Sequence, residues 1–251
     1  MKKLSVTVIT LNEEKDLPNC LDSVKEIADE IVVVDSGSTD KTVEIARRYG
    51  AKVYTRKFDN YANQKNYAVE KATGKWMLSL DADEKITPEL AREINSKIQN
   101  KKSKNVAYSI PRKNIIFGKL IKYSRWQPEL DRHVWLWKKD YGRWEGMVHE
   151  EVVVKGDVGE LEYAKIHYQY KTVRDFIAMM NRYSELDAVK RVKDGTVFSY
   201  IRLFIDPIYN FSVRYFYRLG FLDGWRGFVL SYLMAVYHLE LWIKVWERTK
   251  R

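Results

Sequence analysis

Among 251 residues there is one cysteine, Cys20. A lone cysteine cannot close an internal disulfide, and it excludes the paired-cysteine spacings on which zinc sites and dithiol redox motifs depend. A disulfide-built secreted domain is therefore excluded, and a reducing compartment fits. Long hydrophobic runs are also missing. The longest, Gly227 to Tyr237, is broken by Ser231 and followed by His238 and Glu240. It falls short of the roughly 20 apolar residues of a membrane span, so no transmembrane helix is expected. Met1-Lys2-Lys3 leads quickly into a strand and then Asn12-Glu13-Glu14, without an apolar h-region or a small-residue cleavage site, so no signal peptide is expected. There is no internal repeat, no low-complexity stretch and no glycine-rich phosphate loop behind the first strand.

What is present suits a folded chain of one large domain, or one domain with an appendage: 45% hydrophobic and 31% charged residues exclude wholesale disorder. Lys and Arg number 44 against 34 Asp and Glu, a net charge of +10. Residues 101–144 hold 12 basic and 3 acidic side chains, a net of +9, which leaves the other 207 residues close to neutral. A local positive field attracts phosphates, anionic lipid or nucleic acid; it also serves solubility alone.

Through residue 100 the pattern alternates strand and helix. Val6–Ile9 and Ile31–Val34 read as strands, the second apolar on both faces as in a buried parallel sheet. Val43, Ala46 and Tyr49 recur at helical spacing behind Ser38-Thr39-Asp40. Ala51–Tyr54 is a weaker strand; a helix is expected over about 60–71, a strand over Trp76–Leu80, and a helix opened by Thr87-Pro88. Such alternation implies a mostly parallel sheet with helices on both sides. After Lys104 mixed or antiparallel strands are expected, Val106–Ile110 and Val152–Val154 among them, and from about Thr172 the chain reads as helical.

Three strand-end turns carry the chemistry. Leu80-Asp81-Ala82-Asp83-Glu84 places carboxylates two residues apart where an apolar strand ends. In open α/β sheets ligands bind at the carboxyl ends of strands, and two carboxylates there suit Mg²⁺ or Mn²⁺ beside substrate phosphates. Val34-Asp35-Ser36-Gly37-Ser38-Thr39-Asp40 is a second acidic turn, in which Asp35 suits a base N–H or only its own turn amides. Ile9-Thr10-Leu11-Asn12-Glu13-Glu14 is the third. Any one of these is an ordinary polar turn; three at one sheet edge are far more specific.

Together with Gln64-Lys65-Asn66, these segments resemble glycosyltransferase family 2, whose members have the GT-A fold. Trp144-Glu145-Gly146-Met147-Val148-His149-Glu150 and His167-Tyr168 are similar to the branch of bacterial lipopolysaccharide-core β-1,4-glucosyltransferases. The resemblance spans most of residues 1–190. It implies an α/β, GT-A-type, Rossmann-like sheet flanked by helices, with a catalytic domain over 1–170, its nucleotide-sugar half about 1–100 and acceptor half about 101–170. Residues 171–251 would be a helical C-terminal extension. It further implies that Asp35 binds the base, that Thr10, Leu11 and Glu13 line the nucleoside pocket, and that Lys65 lies on the nucleotide side. Asp81 would face ribose and metal, and Asp83 would be the main ligand of Mn²⁺ or Mg²⁺; His149 and His167 are each candidates to complete that site or to contact the diphosphate, against a plain structural role. Family 2 enzymes invert, which requires one base for the acceptor hydroxyl. Glu150 is the expected base, since Glu151 in an extended segment points the other way. His149 and Arg132 are candidates for phosphate or acceptor. Where the branch commonly has Arg-Leu-Phe-Arg, this chain has Trp135-Leu136-Trp137-Lys138, so an arginine role there is lost or shifts to Arg132.

The expected activity is metal-dependent, inverting transfer of a hexose, as from UDP-glucose, to a glycan or lipid-linked glycan of the bacterial envelope. The expected location is the cytoplasm, with peripheral attachment to the inner face of the membrane. Trp126, Trp135, Trp137 and Trp144 suit sugar stacking or core packing. Aromatic and basic residues mixed through 211–248 suit a membrane interface or a second subunit. On this reading the basic segment guides a diphosphate donor rather than nucleic acid. A non-enzymatic nucleic-acid binder and a nucleotidyltransferase are the competing readings.

Overall fold

The computed structural model describes residues 3–146 and 150–250. The first strand, β1 (Leu4–Thr10), is buried on both faces and pairs in parallel with β2 (Glu30–Asp35) on one side. Helix α1 (Leu17–Val24) connects them and buries Leu17, Cys20, Leu21 and Val24. After α2 (Thr42–Arg48), β3 (Lys52–Thr55) adds in parallel outside β2. Helix α3 (Tyr61–Lys71) starts where the Asn60 side chain accepts from the Asn63 amide, and returns the chain to β4 (Trp76–Asp81), parallel to β1 on its other side. The order β3-β2-β1-β4 is thus a parallel half-sheet with helical crossovers, as the alternation of apolar runs and caps predicts. Its register sets Thr10 beside Asp35, Ile9 beside Asp81 and Asp35 beside Thr55, so the three polar turns leave the sheet at one edge.

Beyond β4 the strands reverse. The short β5 (Glu84–Lys85) and α4 (Pro88–Gln99), capped by the Thr87 hydroxyl, precede β6 (Ala107–Ile116). After β7 (Lys119–Leu120), β8 (Arg132–Lys138) lies antiparallel between β4 and β6. Strands β9 (Gly142–Glu145) and β10 (Glu151–Val154) form a separate antiparallel pair. β11 (Val158–Glu160) joins β6, and β12 (Lys165–Tyr170) pairs β5 by setting His167 opposite Glu84. The result is a mixed sheet flanked by helices, the GT-A-type arrangement expected from the sequence.

The chain divides into two compact units, Met1–Arg112 with Asp131–His167, and Lys113–Leu130 with Tyr168–Arg251. The second unit is mainly α5 (Val173–Lys193), opened by a Thr172/Asp175 capping box, α6 (Tyr200–Ser212) and α7 (Trp225–Thr249). Within it buried Asp223 accepts from the Lys122 and Tyr123 amides. Helix α7 differs from expectation: it is long and apolar enough, at a mean hydropathy of 1.3 over 18 residues, to cross a membrane by length and composition. Ser231, which breaks the apolar run in sequence, is absorbed by donating its hydroxyl to the Gly227 carbonyl one turn back. The helix also buries Leu230, Tyr237, Leu241 and Trp242 in its own unit, while Phe228, Tyr232, Leu239 and Ile243 are exposed.

Candidate active site

The turns after β1 and β2 are laced together. Asn12, at φ 57°, accepts from the Thr39 amide through its side chain and donates its own amide to Ser38 Oγ. The Thr42 hydroxyl accepts from Glu13 N at 2.7 Å, and Asp40 accepts from the amides of Glu14 and Thr42. Asp40 thus supplies the cap chemistry for α2 from one residue outside its N-cap, Lys41. Asp35 is buried, and its oxygens accept from the Thr10 hydroxyl, the Gly37 and Ser38 amides and the Ser38 hydroxyl. Those four bonds fill the acceptor capacity of a carboxylate. Leu11 is exposed beside this turn.

At the end of β4 the charges interlock. Lys65, projecting from α3 with only 5% of its side chain exposed, donates to Glu150 Oε1 at 2.9 Å and lies 3.1 Å from Asp81 Oδ1. Its ammonium is 4.5 Å from the centroid of the Trp144 ring. Burial opposes the charge on Lys65, but Asp81 and Glu150 outweigh it and raise the pKa. Burial likewise acts to raise the Asp81 carboxyl; Lys65, Lys165 and His167 win and lower it to about 2. Asp83 Oδ2 faces His167 Nε2 at 3.2 Å, with Asp83 partly open to solvent.

Beneath this layer Glu84 Oε2 accepts from the Asp81 amide at 3.0 Å and from Lys165 Nζ at 2.6 Å. Neither Glu84 nor Lys165 has any exposed side-chain surface. Lys165 rests 3.1 Å from the Trp135 ring centroid, and burial lowers its pKa to about 8 while Glu84 pulls the other way. Arg112 grips Asp131 with two nitrogens at 2.9 and 3.0 Å and reaches toward Glu84 at 3.8 Å. Removing one partner of a fully buried ion pair strands the other. Lys165→Met is therefore expected to lower unfolding free energy by about 3–5 kcal/mol in urea titrations, with Glu84→Gln in the same chain restoring part of it. An unchanged midpoint for Lys165→Met would remove this pair from the support of the Asp81 turn.

The structure brings Lys65, Asp81, Asp83, Glu150 and His167 of the sequence-expected residues into this neighbourhood, and Thr10, Glu13 and Asp35 into the adjoining laced turns. Glu151 points away from Lys65, exposed and 3.4 Å from His133. His149 lies outside the described residues. Arg132 is elsewhere: its guanidinium donates to the carbonyls of Ser109 and Leu161 and approaches Glu160, because alternation along β8 turns it away from His133 and Asp131. Nor do Trp135, Trp137 and Trp144 present faces for sugar. All three are buried, and the rings of Trp135 and Trp144 floor the Lys165 and Lys65 ammoniums instead.

The basic residues of 101–144 are divided between the two units, and of those in the first, Arg112 stands beside Glu84. Lys113, Lys119, Lys122 and Arg125 belong to the second unit. In the first, Lys138 pairs with Trp76 at the far end of β4 from Asp81, and Lys139 donates to the Ala72 carbonyl. Sequence reasoning missed the roles of Glu84, Arg112 and Lys165. The signal for Lys165 was its place two residues before His167 in a strand, which puts both on one face.

A divalent metal fits the donor set at Asp83 and His167. Carboxylate oxygen and imidazole nitrogen are suitable ligands, they already face each other, and Asp83 is open. Among the described residues no group of three or more His, Cys, Asp or Glu side chains is placed to hold a metal ion, so Asp83 and His167 would hold one only together with ligands from the substrate. Open coordination positions are what a metal shared with substrate phosphates requires.

Comparison with known proteins matches residues 5–148 to the family model described as glycosyl transferase family 2. An uncharacterized glycosyltransferase of Rickettsia typhi is 34% identical over 246 residues, covering 94% of this chain and 84% of the relative. The lipopolysaccharide core biosynthesis glycosyltransferase LpsC of Rhizobium meliloti is 31% identical over 259 residues, covering 98% of this chain and 92% of the relative. Among solved structures, S. aureus TarS in complex with UDP-GlcNAc aligns with 94% of this chain and 81% of that one, at 17% identity and a TM-score of 0.49.

Proposed function

This chain belongs to glycosyl transferase family 2, and from that premise we propose that it transfers a hexose with inversion from a UDP-sugar, UDP-glucose or a relative, to a glycan or lipid-linked glycan of the bacterial envelope. One observation carries the reading: a single buried ammonium, Lys65, joins the strand-end carboxylate Asp81 to Glu150, with Asp83 and His167 facing each other alongside. That juxtaposition supplies a diphosphate-binding edge and a base at one place. The similarity to LpsC along nearly the whole chain supports the acceptor class.

In the proposed reaction the acceptor oxygen bonds to the anomeric carbon as that carbon's bond to the diphosphate oxygen breaks. The hydroxyl proton passes to Glu150, which Lys65 holds in position. Asp83 and His167 would hold Mn²⁺ or Mg²⁺, whose charge supplies stabilisation for the leaving diphosphate. Thr10, Glu13 and Asp35 take the nucleoside side, with Leu11 exposed above them. Asp35 accepts a base N–H there by exchanging the bond from the Ser38 hydroxyl. The enzyme works in the cytoplasm, where nucleotide sugars are made, on an acceptor presented at the inner face of the membrane.

The test is a panel of nucleotide sugars incubated with the protein, with Mn²⁺ or with a chelator. Release of UDP from a UDP-hexose, dependent on Mn²⁺, is the expected result. Release of pyrophosphate from a nucleoside triphosphate would instead point to nucleotidyl transfer, and silence across the panel would overturn the donor assignment.

A further inference from the structure

Helix α6 has no buried residue along its 13 positions, although most of its side chains are apolar. At about 100° per residue, Ile201, Phe204, Ile205, Ile208 and Tyr209 fall within one arc of about 140°. These five side chains are 56–70% exposed. The opposite side faces the unit's own core: Leu203 packs in the cluster around Trp242, and Asp206 accepts from the Trp242 indole N–H at 2.7 Å. Beyond the helix in the same unit, Phe216, Tyr217, Phe221, Leu222 and Trp225 are exposed as well. Isolated exposed apolar residues are ordinary on a soluble surface, but five on one helical arc mark a docking surface.

We propose that this face docks on an anionic lipid surface, with α6 lying in the plane of the headgroup boundary. The charge pattern selects the occupant. Between Ser199 and Tyr232 the charged residues are four arginines, Arg202, Arg214, Arg218 and Arg226, and two aspartates, Asp206 and Asp223. Both carboxylates are turned inward, Asp206 to Trp242 and buried Asp223 to the Lys122 and Tyr123 amides. Arg214 is turned inward too, donating to the Ser124 carbonyl and lying 5.0 Å from the Trp126 ring, so the surface is apolar with a cationic rim of Arg202, Arg218 and Arg226. Arg202 borders the arc, while Arg218 and Arg226 lie against the Tyr217 and Trp225 rings at 5.3 and 4.5 Å.

Acyl chains beneath negative headgroups match that combination, with Tyr and Trp at the polar boundary. A second copy of this chain fits less well, since isologous pairing of the same face brings the two cationic rims together. At about 1.5 Å per residue α6 spans roughly 20 Å, too short to cross a hydrocarbon core of about 30 Å, so it lies flat. The proposal deepens the reading of a membrane-borne acceptor, for which it provides the means of approach. It does not depend on which sugar is transferred.

The experiment is flotation of the full chain with vesicles of phosphatidylcholine alone and of phosphatidylcholine mixed with phosphatidylglycerol. The protein is expected to float with the mixed vesicles, less so as salt is raised, and not with phosphatidylcholine alone. Ile205→Glu combined with Ile208→Glu is expected to lower partitioning by at least about tenfold. Both side chains are exposed, so melting temperature and donor hydrolysis stay unchanged. Equal partitioning of wild type and variant would overturn the proposal. So would failure of the wild type to float together with a sedimentation dimer that the variant splits, which would assign the face to a second copy. Loss of donor hydrolysis with flotation intact would count against the donor assignment alone.

Discussion

With Asp83 replaced by alanine, sugar transfer is expected to fall by about 10³ or more while the protein stays folded. Asp83 is the carboxylate at the strand end that is both partly open and aimed at an imidazole, His167 Nε2 at 3.2 Å. A metal that neutralises a departing diphosphate contributes several kcal/mol to the transition state, and about 1.4 kcal/mol is a factor of ten. Removing the ligand forfeits that contribution. Stability should change little, by about 1 kcal/mol or less, because the side chain is partly solvated and His167 keeps its strand pairing opposite Glu84. The measurements are initial rates of UDP release over a Mn²⁺ titration and a thermal melt. A variant within tenfold of wild type, with the same Mn²⁺ dependence, would take Asp83 out of the metal site.

Glu150→Gln is expected to cut turnover by at least about 10² with UDP affinity within about twofold of wild type. The choice of glutamine follows from the geometry. Its carbonyl oxygen can still accept from Lys65 Nζ, which lies 2.9 Å from the Glu150 carboxylate, so the buried ammonium keeps both of its contacts. What the amide cannot do is accept a proton from the acceptor hydroxyl. Calorimetric titration of UDP and steady-state rates on the same preparation separate the two effects. Loss of UDP binding in step with turnover would assign Glu150 to the donor site, and undiminished turnover would remove it from the chemistry.

The parallel half of the fold was legible because its signals are local. Ile31–Val34 is an apolar run between polar turns, and Asn60 and Thr87 stand where the structure puts side-chain caps on α3 and α4. The three strand-end turns could be named for the same reason. Long-range pairing could not. Lys65 meets Glu150 from 85 positions away, and Lys165 meets Glu84 from 81. Nothing in a local pattern separates Arg112, which binds Asp131 next to Glu84, from Arg132, which is turned to the Ser109 and Leu161 carbonyls. The choice between them depends on strand alternation and on a register shift at Tyr108/Ser109. For Trp135 and Trp144 the sequence left sugar stacking and core packing both open, and the structure takes the second, with the rings set against buried ammoniums. Net charge over residues 101–144 could not say which of its residues lie near the strand-end turns: β8 runs antiparallel to β4, which carries Lys138 away from the edge where Asp81 sits, whereas Arg112 stands beside Glu84.

Lys65 has one more consequence. Because a single cation contacts both Asp81 and Glu150, the carboxylate at the end of β4 and the one just before β10 are not electrostatically separate. Neutralising either carboxylate leaves the ammonium wholly to the other. Substitutions at the two positions therefore report on a shared charge rather than on two independent ones, and their effects on rate and stability will not add. The smallest unit that such substitutions can dissect here is the trio, not the residue.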